Sequence, residues 1–246
     1  MCHPLRPALL RVVLGLLLPA RLACAADIGV TPVAVHLDQL NDRATLSVVN
    51  SGAEPVIMQV EAISWRSNGG VEDDLPTSDM IVNPSIFTVP PGQAQLVRIG
   101  LRRALPAQRE GTYRLVLREV PAAPRAGELR VSGQVRVLMA LRVPIYVAPQ
   151  TVVRELRWQA TQAKDGSVTA TLRNEGNVHV RVARAQFRSA AGELLDAGQV
   201  MGSVVLSGEA RSYRLRGATP TGERPMTLEV TTDHGVESVP IVLAGR

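Results

Sequence analysis

The side chains able to do chemistry are few and scattered. Beyond the first 25 residues the histidines are His36, His179 and His234. They lie far apart in sequence, with no spacing that would make two of them metal ligands on one strand face. Both cysteines, Cys2 and Cys24, fall within those first residues. The rest of the chain therefore has neither a thiol nucleophile nor a disulfide. Glu72, Asp73 and Asp74 follow Gly69-Gly70 in a turn-like stretch from Ser67 to Pro76. They read as a solvated loop, with cation binding as the other use of such a cluster. No helix follows Gly69-Gly70 to supply a phosphate-binding N-terminus. With no nucleophile–base pair and no ligand set, the chain reads as a non-enzyme with no metal and no cofactor.

What remains is binding through strands. From Val135 to Ile145 every odd position is apolar, while the even positions hold Arg136, Leu138, Ala140, Arg142 and Pro144. Successive strand side chains point to opposite faces, so this segment offers one continuous apolar face. Pro144 lacks a backbone N–H and belongs at a sheet edge or at an exit from a sheet. A flat apolar edge strand normally invites pairing with another chain. The pattern leaves open whether the odd face packs on its own core or is presented to a partner.

Such a strand needs a scaffold, and 246 residues suffice for two domains of about 100 residues each. Arg6 and Arg11, the apolar run Val12 to Leu18 and the small-residue site Ala23-Cys24-Ala25 read as a secretory signal peptide over residues 1–25, too short to span a membrane. No later run reaches spanning length, so a soluble, exported mature chain is expected. The formal charge of +5 falls to about +2 once Arg6, Arg11 and Arg21 are set aside, since 24 basic residues then face 22 acidic ones. Lys164 is the only lysine, the arginines are dispersed and aromatics make up 3%, which argues against a nucleic-acid surface.

The text after residue 25 is all-β. Short runs rich in Val, Ile, Leu and Thr are separated by turn residues: 44–49, 56–63, 81–89, 94–101 and 112–120, then 152–158, 168–173, 178–188, 198–206, 210–215, 226–232 and 236–243. That spacing predicts antiparallel sandwiches. Turns are expected at Asp165-Gly166, Ala191-Gly192 and Asp233-His234-Gly235. A boundary near Ala148-Pro149-Gln150 gives domains 26–148 and 149–246. An Asn-x-Gly turn recurs in both, at Asn50-Ser51-Gly52 and Asn174-Glu175-Gly176, as two related sandwiches in tandem would have it.

In order and spacing the chain resembles the periplasmic pilus chaperones of the chaperone–usher pathway. The matching pieces are Val30-Thr31-Pro32-Val33, Asn50-Ser51-Gly52, Trp65, Pro84 before Phe87, Pro91-Gly92, Val97-Arg98, Tyr113-Arg114-Leu115, Leu117-Arg118-Glu119-Val120-Pro121, Val143-Pro144-Ile145-Tyr146-Val147 and Asp233-His234-Gly235. The short connection between Glu119 and the alternating strand is similar to the short-loop and archaic branches. The resemblance implies two immunoglobulin-like domains set as an L, periplasmic localisation, and pilus or fimbrial subunits and an outer-membrane usher as partners. It also implies donor-strand complementation, in which the chaperone lends a strand to a subunit lacking one. The donor residues would be Val135, Val137, Met139 and Leu141. Val120 and Pro121 match the usher-docking surface, Glu110 and Asp233 the acids of an interdomain network. Self-association of the free form would protect the edge. The other class in view is a structural or adhesive sandwich protein of a surface fibre, against which the two-domain organisation argues.

Two departures matter. The family pattern is similar to a first-strand arginine and a donor-strand lysine that hold the subunit's terminal carboxylate; here those positions read Ala34 and Pro144. A carboxylate still calls for a cation, and the candidates are Arg114 first, then Arg142 and Arg98. The arginine position of the interdomain network reads Ala148.

Overall fold

The computed structural model describes residues 27–68, 71–102, 108–121, 137–163, 167–188, 194–196, 202–215 and 226–241. The leader, Val135, and the turns at Gly69-Gly70, Asp165-Gly166 and Ala191-Gly192 lie outside them. All regular structure among the described residues is β.

The first unit runs from β1 (Ile28–Thr31) to β10 (Ala140–Val147). Between them lie β2 (Val35–Leu37), β3 (Arg43–Asn50), β4 (Val56–Asn68), β5 (Val71–Pro76), β6 (Met80–Asn83), β7 (Ile86–Val89), β8 (Ala94–Leu101) and β9 (Gly111–Val120). One sheet has the order β1-β3-β8-β6; the other has β2-β10-β9-β4-β5, with β7 beside β4. The N-terminal segment changes sheets between Thr31 and Val35, pairing antiparallel with β3 and then parallel with β10. Leu46, Val48, Val97 and Ile99 from one sheet meet Met58, Val60, Leu115, Leu117, Val143 and Ile145 from the other in a single core.

The second unit comprises β11 (Leu156–Gln162), β12 (Val168–Asn174), β13 (Val180–Arg188), β14 (Leu194–Asp196), β15 (Ser203–Val205), β16 (Ala210–Leu215), β17 (Met226–Thr232) and β18 (Gly235–Ile241). Its sheets are β11-β12-β16 and β14-β13-β17-β18, with β15 on β13, packed around Leu172, Val182, Phe187, Leu228 and Val230.

The recurrent Asn-x-Gly turn has one physical job in both units. Asn50 is fully buried; its Nδ2 donates to the Glu54 and Val89 carbonyls at 2.7 and 3.0 Å, and its Oδ1 accepts from Gly52 N at 3.0 Å. Asn174 repeats this with Val178, Val205 and Gly176 at 2.8, 3.1 and 3.1 Å. A glycine at positive φ follows in each unit, Gly92 at 66° and Gly208 at 82°, and its N–H returns to the asparagine's carbonyl.

Two expectations change. The stretch from Ser67 to Pro76 is not a loop: β4 continues to Asn68 and β5, largely exposed as expected, pairs with it from Val71 to Pro76, and Arg114 on β9, on the far side of β4, holds Glu72 and Asp74. The run 81–89 divides at Pro84, β6 going to β8 and β7 to β4. Of the run 198–206, the described part contains β15, and residues 198–201 lie outside the described residues.

Candidate functional site

The alternating segment becomes regular strand at Ala140, and its odd face is divided. Val143, Ile145 and Val147 are buried in the first unit's own core, Leu141 and Met139 pack at its margin, and Val137 is 86% exposed. The face that the pattern left undirected therefore points inward at one end and outward at the other. Val135, the first donor candidate, lies outside the described residues.

The two edges of β10 also differ. Glu119 N donates to Met139 O, with the register continuing as Leu141↔Leu117, Val143↔Leu115 and Ile145↔Tyr113. The odd residues thus turn their N–H and C=O groups toward β9, and the even residues turn theirs away. On that outer side β2 pairs only with Ile145–Val147, and Ala148 N donates to Leu37 O at 2.8 Å. Among the described residues no strand covers the outer edge from Ala140 to Pro144. Ala140 and Arg142 present N–H groups there, and Pro144, without one, stands where β2 begins.

The face of this sheet turned away from the core carries charge. Arg114, directly across from Pro144 on β9, is only 8% exposed. Its guanidinium lies over the Trp65 ring at 3.9 Å, binds both Glu72 oxygens at 2.6 and 2.8 Å and reaches Asp74 at 3.2 Å. Arg142 contacts the other Asp74 oxygen at 3.4 Å with its side chain 55% exposed. Arg118 pairs with Glu61. The hydrogen bond from Arg114, with the further pull of Arg142 and Arg211, holds the Glu72 carboxyl below its ordinary range despite partial burial. Arg142, Arg118 and Asp74 line an open groove of about 590 Å³ with Ile63 and Met80. Of the three cations named from sequence, Arg114 and Arg142 are brought together through Asp74. Arg98 is exposed on β8 in the opposite sheet, in register with Thr45 and Asn83, and does not join them.

Where the units meet, an aromatic column forms. Tyr146 stacks on His179 with centroids 3.6 Å apart and planes at 13°. His36 lies 5.5 Å from Tyr146 and 6.3 Å from His179, and Trp65 lies 6.2 Å from Tyr146. Leu206 packs with Trp65 and Tyr146. Two histidines far apart in sequence thus come together, and among the described residues no group of histidine, cysteine and carboxylate side chains forms a metal site. The Tyr146 hydroxyl and the Trp65 Nε1 are buried without a hydrogen-bond partner among the described residues. Burial pushes the Tyr146 phenol up to about 12.

Glu110 crosses the junction: one carboxylate oxygen accepts from His179 N at 2.8 Å and meets His179 Nδ1 at 2.7 Å. Asp233 accepts instead from Arg181 N at 3.1 Å, while Thr232 Oγ1 closes the following turn. Glu110 therefore finds a histidine across the junction where an arginine was sought. Val120 ends β9 opposite Ile57, half-buried, and Pro121 follows it exposed. Sequence reasoning gave Tyr146 no site role, read His179 as an isolated histidine, and read Glu72 and Asp74 as a solvated cluster. The signals available were a tyrosine at an even position of the strand and acids that alternate along β5.

The two-unit all-β fold has known counterparts. The family profile described as pili and flagellar-assembly chaperone, N-terminal domain, matches residues 27–153, just over half of the chain. The chain belongs to this family of pilus-assembly chaperones. Among solved structures, its fold is similar to a chain of the CsuC–CsuE chaperone–tip adhesion subunit pre-assembly complex from archaic chaperone-usher Csu pili of Acinetobacter baumannii, at TM-score 0.64 and 16% identity, over 89% of this chain and 100% of that one. It is similar to the Salmonella enterica SafA pilin–SafB chaperone complex at TM-score 0.57 and 19% identity, over 89% and 97%. The E. coli chaperone DraB follows at TM-score 0.56 and 18% identity, over 89% and 99%. A separate sequence match is 37% identical over 103 residues to a 3-hydroxybenzoate–CoA ligase of Aromatoleum sp. (strain CIB), covering 39% of this chain. The chain spans 19% of that protein's length.

Proposed function

We propose that this chaperone acts without catalysis, in the periplasm after removal of residues 1–25, by lending the outer edge of β10 to an incomplete pilus subunit. The observation that carries the reading is the division of one strand. Its C-terminal half is anchored in the chaperone's own core, while, among the described residues, nothing pairs with the edge from Ala140 to Pro144, and Val137 and Leu138 before it are exposed. Backbone groups at such an edge pair with any strand, and side chains at alternate positions choose the pocket. Val137 is the freest of the donor side chains; Met139 and Leu141 would be shared between the chaperone core and the subunit. Burying each yields about 1.5–3 kcal/mol gross, and association consumes much of it, so a better-fitting strand could displace the chaperone. Delivery to an outer-membrane usher through Val120 and Pro121, domain limits of 26–148 and 149–246, and self-association of the free form belong to the same reading.

For a subunit's terminal carboxylate, Arg142 is the more accessible cation, since it faces the groove with one ion-pair partner shown. Arg114 would have to exchange Glu72 or Asp74 for the incoming group.

The test is co-expression with a secreted pilin encoded beside it, followed by purification of the complex. Val137→Glu leaves the free chaperone folded and abolishes the complex. Recovery of the complex at the parent's level would overturn strand donation.

A further inference from the structure

The turn between β12 and β13 holds a residue whose polar groups all leave the turn. Asn177 N donates to Val153 O at 2.9 Å, and Asn177 O accepts from Glu110 N at 2.9 Å. Its Oδ1 accepts from Val153 N at 2.7 Å. Its Nδ2 donates to Gln108 O at 2.9 Å and to Thr151 O at 2.7 Å. One side chain therefore joins the approach to β9 in the first unit, the connecting segment, and the second unit. The connecting segment is drawn tight against this turn: a Cβ at Gly176 would lie 2.5 Å from Val153 O and 2.9 Å from Glu155 N. Two residues further on, His179 makes its paired contact with Glu110.

The first unit supplies an internal control. Its own turn has the same buried asparagine, the same Asx bond to a glycine and the same bond to a carbonyl four residues on. At the position corresponding to Asn177 it carries Ala53, which is exposed. The turn itself therefore does not require an asparagine there.

We propose that Asn177 is a positioning residue, the clamp that sets the orientation of the second unit relative to β10 and so the cleft a bound subunit would meet. Its consequence for subunit capture rests on the strand-donation reading; the clamp itself does not. Relative motion is the default for two units joined by a short segment unless specific contacts hold them. Here the Nδ2 bonds to Gln108 and Thr151 join the Tyr146–His179 stack and the Glu110–His179 pair as such contacts, and they are carbonyl-directed bonds that an aspartate cannot make.

The experiment is a distance measurement between spin labels on the free, full-length chain. Cys2→Ser and Cys24→Ser remove the native thiols, and Leu40→Cys and Val236→Cys place labels at exposed positions of the two units. Asn177→Ala and Asn177→Asp each widen the distance distribution about twofold while far-UV circular dichroism keeps the parent's β signal. A distribution as narrow as the parent's in either variant overturns the clamp. So does failure of Asn177→Ala to fold, which would make the residue a requirement of the turn despite Ala53. No subunit takes part, so this result is independent of whether strand donation stands.

Discussion

Tyr146 of the first unit and His179 of the second are stacked, ring on ring, with centroids 3.6 Å apart. Tyr146 occupies an even position of the same strand whose odd positions fill the core and, further back, face solvent. One strand thus serves three surfaces: its own core through Val143 and Ile145, the unit junction through Tyr146, and the open edge from Ala140 to Pro144. Any load on the open edge is transmitted to a strand already fixed at its other end.

The buried Tyr146 phenol makes alkaline stability a direct readout of this junction. An unfolded tyrosine ionises near 10, and the folded one about 12. Below pH 10 both states keep the proton and nothing changes. Between these values the unfolded chain binds fewer protons, so stability falls as pH rises, by about 1–3 kcal/mol across the window. In Tyr146→Phe that alkaline decline is flattened. Removing an unpaired buried hydroxyl also leaves neutral-pH stability unchanged or raised by about 1 kcal/mol. Denaturant unfolding from pH 7 to 12 checks both.

Glu110 satisfies two donors of His179 with one oxygen, and its side chain is 6% exposed. Glu110→Ala strands a backbone N–H and a ring nitrogen, which costs about 1–3 kcal/mol. The loss is expected in the cooperativity between the units, visible as separation of a single calorimetric transition into two.

Arg114 and Arg142 separate structure from binding. Arg114→Ala uncovers Trp65 and leaves Glu72 and Asp74 without their principal cation, costing the free chaperone about 2–4 kcal/mol. Arg142→Ala removes a half-exposed contact and changes stability by less than about 1 kcal/mol. If Arg142 receives a subunit's carboxylate, its alanine variant folds as the parent does and loses the complex in co-purification. Normal co-purification would remove Arg142 from that role.

Acid stability reads the same cluster. Glu72 is held below its ordinary value of 4.5 by the Arg114 hydrogen bond. A depressed folded value gives stability that is present above 4.5 and lost as pH falls through the folded value. Glu72→Gln cannot be protonated and should show a shallower acid limb below about pH 4.5. Urea midpoints measured from pH 7 down to 2 decide it; an unchanged acid limb would show that the pair contributes nothing.

Much of the fold was legible because period-two alternation and turn residues are local properties of the chain. They specify strands such as β3, β8 and β9, and the Asn-x-Gly turns at Asn50 and Asn174, whose Asx bonds to Gly52 and Gly176 are local. The division at Pro84 and the strand β5 were not legible. Glu72 and Asp74 look solvated until Arg114, some forty positions away in sequence, is brought over Trp65 by the β4–β9 register.

The sequence by itself determined that the chain is built of strands and that one segment carries an uninterrupted apolar face. Only the tertiary structure decided how that face is spent. Side-chain period says which residues share a face; it does not say where the opposing sheet ends. The opposing sheet, β1-β3-β8-β6, covers Val143 and Ile145 and leaves Val137 exposed, and among the described residues β2 covers the outer edge only from Ile145 onward. Those limits are set by long-range pairing. They make the two ends of one regular pattern into an anchor and an open edge.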